Sequence, residues 1–138
     1  MVFEKILVGT DGSESATRAV GRAVEIARQD GAELVVVHAH PDPNVGYALA
    51  DDTSPTVERA NDIVREIESK HAADITVRTV VREGDAASVL LDVAEEEKVG
   101  LIVVGNKGMT GGRRFLQGSV PNRVSHHAKC DVLIVHTT

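Results

Sequence analysis

Leu101-Ile102-Val103-Val104-Gly105-Asn106-Lys107-Gly108 (LIVVGNKG) decides how the rest of this chain is read. Its first four residues are an unbroken apolar run, the pattern of a buried strand. Such a strand needs cover on both of its faces, which predicts a sheet between helices. Two glycines close this stretch, and a third, Gly118, precedes Ser119 at the head of a short helical pattern. Glycine lets backbone N–H groups approach an anion closely, and the first-turn amides of a helix carry partial positive charge. A strand that delivers glycines and then a helix N-terminus is suited to hold phosphate.

Outward from this stretch, the hydrophobic period alternates between two and 3.6. Lys5–Thr10 (KILVGT) reads as a short buried strand broken by Asp11-Gly12. Ser13 suits an N-cap with Glu14 in the first turn. Ala16, Ala19, Val20, Ala23, Val24 and Ala27 then recur at helical spacing until Gly31 supplies a stop. Glu33–His40 (ELVVVHAH) is a second strand. Pro41–Ser54 is turn-rich and long for a compact domain, as binding or lid loops often are. Ser54-Pro55 marks the next helix start, with Val57, Ala60, Ile63, Val64 and Ile67 on its apolar face. Ile75–Val81 alternates in the manner of an edge strand, and Asp85 caps a third helix through Ala86, Val89, Leu90, Val93 and Ala94. After the Gly100–Gly105 strand come a short helix, Ser119–Ala128, and a last strand, Val132–Val135. Five strands alternating with four helices predict an open, doubly wound α/β parallel sheet with helices on both faces. Ligands of such sheets bind at the carboxyl ends of the strands, where strand order reverses.

Composition bounds the function. A chain of 138 residues, 42% of them hydrophobic, is expected to form one domain over 1–138 with no need of metals or disulfides. The net charge of −6 argues against a broad nucleic-acid surface. No apolar run approaches a membrane span. The start, Met1-Val2-Phe3-Glu4-Lys5, lacks the layout of a signal peptide, and the single cysteine, Cys130, fits a reducing compartment, so a cytoplasmic location is expected. A Walker motif is absent, as is GxGxxG after the first strand, which disfavours P-loop NTPases and NAD-dependent dehydrogenases.

The spacing Gly105-x2-Gly108-x9-Gly118-Ser119 resembles the nucleotide motif of the universal stress protein family. The resemblance extends to the opening KILVGTDGSESA, the long loop after the second strand and the closing GSVPNRVSHHAKCDVLIVHT. It implies a Rossmann-like fold of the adenine nucleotide alpha hydrolase type, with strand order 3-2-1-4-5. It also implies a homodimer, commonly formed through the last strand, Val132–Val135, and a bound ATP or other adenine nucleotide. Carried over position by position, Gly105 and Gly108 would turn around the phosphates. Gly118, Ser119 and Val120 would donate at the helix N-terminus. Asp11 would accept from the nucleoside, and the backbone of Ala39 would read the adenine edge. Gly9, Thr10, Val104, Asn106 and Lys107 complete the nucleotide-binding set. Lys107, Arg113 and Arg114 offer charge for phosphate oxygens. ATP, AMP and cyclic AMP all remain open as the ligand, as does Mg accompanying ATP; Asn106 and Pro121 are reminiscent of members that favour cyclic AMP.

Catalytic residues are not expected, since no motif positions a general base; slow ATP hydrolysis stays open. Alternatives are a nucleotide-dependent enzyme, such as an adenylyl transferase, and a ligand-free interaction module. The intact glycine motif argues against the latter, because glycines cost stability where nothing requires them. His38 and His40 share one strand face, but no further ligand at useful spacing makes a metal site, so both are expected to be satisfied or exposed. Cys130 reads as a core or interface residue. Val132–Val135, apolar on both faces, is either an inner strand or one covered by a partner.

Overall fold

A computed structural model describes residues 2–40, 56–106 and 120–137. Its elements are β1 (Lys5–Gly9), α1 (Glu14–Asp30), β2 (Glu33–His40), α2 (Thr56–His71), β3 (Val77–Glu83), α3 (Ala86–Glu97), β4 (Leu101–Gly105), α4 (Val120–His127) and β5 (Asp131–Val135). All pairings are parallel, and the strand order is β3-β2-β1-β4-β5, the order that the resemblance implied.

Alternation along the three inner strands sorts their side chains into two cores. Ile6, Val8, Leu34, Val36, Leu101 and Val103 face α1 and α2, against Ala19, Val20, Ala23, Val24, Ala27 and Val64. Leu7, Val35, Val37, Ile102 and Val104 face the other way, onto Ala87, Leu90 and Val93 of α3 and Val120 and Val124 of α4. Both faces of these strands are covered, which is why they read as continuous apolar runs. Helix ends follow local chemistry. Ser13 accepts from the Ala16 N–H at 3.1 Å, and Gly31 closes α1 in the left-handed conformation at φ 65°. Asp85 accepts from the Ser88 N–H at 3.1 Å to start α3.

Three expectations change and one alternative closes. Val57 shares the spacing of the α2 face but is 49% exposed. β3 begins at Val77 rather than Ile75, because its ladder with β2 starts at Leu34↔Val77; Ile75 is buried just outside that ladder. The last strand is an edge, which removes the inner-strand alternative, and Ile134 is 43% exposed there. His38 is not exposed: it is buried, and its Nδ1 has no hydrogen-bond partner. The expected loop Pro41–Ser54 and the helix start at Ser54-Pro55 lie outside the described residues. Among the described residues, no helix is long and apolar enough to cross a membrane.

Candidate functional site

Because β1 pairs with β4, the chain leaves these two strands side by side at their carboxyl ends. The β1 side is a compact turn. Gly9 is paired with Val37, and the buried Thr10 donates its N–H to the Val37 carbonyl at 2.9 Å, one step beyond the strand. Thr10 Oγ1 accepts from the Gly12 N–H at 3.1 Å, and Asp11 Oδ1 accepts from the Ser13 N–H at 2.9 Å. Gly12 turns the chain at φ 82°, and a Cβ there would stand 2.7 Å from Ile63 Cδ1. α2 thus lies directly over the turn. Asp11 sits half-buried at the rim, one carboxylate oxygen fixed by the turn.

On the β4 side, Val104 is buried in the α3/α4 core, and Gly105 pairs with Val135. A Cβ on Gly105 would lie 3.2 Å from Ser15 Oγ and 3.4 Å from Thr137 Cγ2. Gly105 therefore has a packing reason to be glycine whether or not a ligand binds, which weakens the stability argument against a ligand-free module. Asn106 donates its N–H to the Val135 carbonyl at 2.8 Å, and its side-chain oxygen is turned toward Thr137.

Ala39 is half-buried against the α3/α4 core, two residues beyond the Gly9↔Val37 pair. Val120 is buried at the start of α4, whose position is fixed by Arg123 donating to Asp85 Oδ2 at 2.8 Å. The fold brings Gly9, Thr10, Asp11, Val104, Gly105 and Asn106 to one end of the sheet, with Ala39 at the same end of β2. Lys107, Gly108, Arg113, Arg114, Gly118 and Ser119 lie outside the described residues.

His38 was not foreseen in this neighbourhood. It follows Leu34 and Val36 on the α1/α2 face, within electrostatic reach of Asp11, His40 and Arg59. Burial pushes its pKa down, and this outweighs the upward pull of Asp11. The contacts of Thr137 with Asn106, Ser15 and Arg18 also escaped sequence reasoning, since no local pattern links positions 122 residues apart. Cys130 is half-buried against the α3/α4 core, with its thiol pKa pushed up by burial and by Asp131, which suits a packing role. Among the described residues, no three His, Cys, Asp or Glu side chains gather as a metal site.

Comparison with known proteins agrees with this architecture. The sequence model of the Universal stress protein family matches residues 3–136. Universal stress protein Rv1636 of Mycobacterium tuberculosis H37Rv is 40% identical, over 99% of this chain and 98% of its own. Universal stress protein YxiE of Bacillus subtilis is 31% identical, over 97% of this chain and 99% of its own. Among solved structures, a universal stress protein in complex with cAMP is 34% identical, with a TM-score of 0.79 and all of both chains covered. The chain belongs to the universal stress protein family.

Proposed function

We propose that this protein is a non-enzymatic sensor that binds an adenine nucleotide at the carboxyl ends of β1 and β4. One observation carries the reading: the β1–β4 pairing sets the Asp11 turn beside the start of the Gly105 loop, the two walls that a nucleotide crevice needs. The full-length likeness to a structure holding cAMP supports an adenine nucleotide and makes cyclic AMP the first ligand to test. ATP and AMP are the alternatives, and Mg would accompany ATP. We expect no sustained turnover, because no recognisable motif of the sequence positions a general base.

The proposal includes a homodimer through β5. β3, the opposite edge, carries Arg78 and Arg82 bonded to Glu97 and Glu96, the kind of charge that blunts an edge. β5 instead offers the exposed Ile134, with Val132, Leu133 and Val135 half-buried against the two cores, along a backbone edge that no other described strand pairs. A ligand-free interaction module is the second reading, favoured by the packing reason for Gly105.

Calorimetric titration with cyclic AMP, AMP, ADP and ATP, the last with and without Mg, tests the reading. We expect at least one dissociation constant well below millimolar, roughly −4 kcal/mol. Failure of all four hands the protein to the interaction module. Sustained multiple turnover of ATP would overturn the sensor reading in favour of an enzyme.

A further inference from the structure

The residue at the start of the glycine loop is tied to the far end of the chain. Asn106 extends the β4–β5 ladder one step past the strands by donating its N–H to Val135. Its side-chain Oδ1 then accepts twice from one residue, from the Thr137 N–H at 2.9 Å and from Thr137 Oγ1 at 2.8 Å. A hydroxyl has one proton to give. With that proton on Asn106, Ser15 Oγ must be the donor across its 2.7 Å contact with Thr137 Oγ1. The result is a directed chain from Ser15 through Thr137 to Asn106. Arg18 adds a bond to the Thr137 carbonyl at 3.1 Å, and Thr137 is only 5% exposed. The missing Cβ of Gly105 is what lets Ser15 and Thr137 stand this close to β4.

We propose that Asn106 and Thr137 are positioning residues for the nucleotide: their side-chain contact holds the end of β4 in the binding arrangement without touching the ligand. The proposal rests on the nucleotide reading above. Hydroxyl chains in a shielded site reinforce one another, so the tie is firmer than its separate bonds. Backbone held in place beforehand need not be ordered by the ligand, and apparent affinity scales with the fraction of molecules already so arranged. Asn106 thereby acts through Thr137, and α1, β4 and the segment after β5 share one polar junction.

Calorimetry of the full chain with cyclic AMP and with ATP separates this role from direct contact and from mere packing. Thr137→Ser keeps the hydroxyl, and we expect its affinity within about twofold of the parent chain. Thr137→Val keeps the shape and loses the hydroxyl; Asn106→Ala removes the acceptor. Each is expected to weaken binding by about three- to tenfold, the range of a lost hydrogen bond. The double variant is expected to bind no worse than Asn106→Ala alone, because the hydroxyl bond that Thr137→Val removes is already lost with its acceptor. Ser15→Ala, which trims the far end of the chain, gives an independent reading should Thr137→Val fold poorly, and unchanged affinity in Ser15→Ala and Asn106→Ala overturns the proposal. Wild-type affinity in a folded Thr137→Val overturns it as well. So does a multiplied loss in the double variant, which would put Asn106 on the ligand itself. Absence of binding by the parent chain removes the nucleotide reading and this proposal together.

Discussion

At His38 a ring nitrogen is buried without a hydrogen-bond partner, facing a neighbourhood of Asp11, His40 and Arg59. Folding makes this ring harder to protonate, whereas the unfolded chain takes up a proton near the ordinary value of 6.5. Below that pH, unfolding consumes a proton, so stability is fully present above 6.5 and declines as pH falls toward the lowered folded value. The decline is at most about 1.4 kcal/mol per pH unit for one group. His71 is shifted the same way, by partial burial and by Lys70 and Arg28. Urea denaturation at a series of pH values should therefore show a shallower acid-side decline in His38→Leu than in the parent chain. His71→Gln should leave the His38 part in place. An unchanged decline in His38→Leu would mean that the ring finds a partner when charged. Residues of this kind were the least legible in the sequence. His38 sits in phase with Leu34 and Val36, so its strand face was plain from the spacing, but a period does not report whether a polar atom is satisfied. The Thr137 contacts were hidden for a related reason, since they depend on tertiary closure of the two chain ends.

At the scale of the element, α3 shows how one side chain serves two helices. Partial burial alone would raise the Asp85 pKa. Bonds from the Ser88 amide and hydroxyl and from Arg123 outweigh it and leave the carboxyl below its ordinary range. Asp85→Ala should cost about 1–2 kcal/mol in urea denaturation, mostly through loss of the cap. Asp85→Asn, which still caps, should cost clearly less, because the ion pair with Arg123 is substantially exposed and worth little. Equal costs would mean that charge, not capping, matters here. Elements were well read from sequence wherever they are covered. The α1 positions Ala16, Ala19, Val20, Ala23, Val24 and Ala27 are all buried, and β2 runs over the expected residues. Val57 went wrong because spacing tells which residues share a helix face, not where the sheet beneath that face stops.

For the whole molecule, the two sheet edges differ in kind. The proposed dimer uses the apolar one, where Ile134 is already 43% exposed. Sedimentation of the parent chain is expected to show a dimer, and Ile134→Lys a monomer with unchanged circular dichroism. A dimer that survives Ile134→Lys would place the interface elsewhere. Strand order itself was not readable from periodicity, which gives alternation but not neighbours; it came from the family resemblance, and the pairings agree with it.

The two cores have no residue in common, because the backbone of β1, β2 and β4 runs between them. Energetically the molecule is two packing problems solved back to back. A defect at Val24 cannot be relieved by repacking around Leu90, and changes made on opposite faces should sum, while changes at touching residues of one face should not. The α1/α2 side, which carries His38 and Ile63 near the Asp11 turn, can therefore be repacked with little effect on the side chains of the α3/α4 core, except where Ser15 is tied through Thr137 to Asn106.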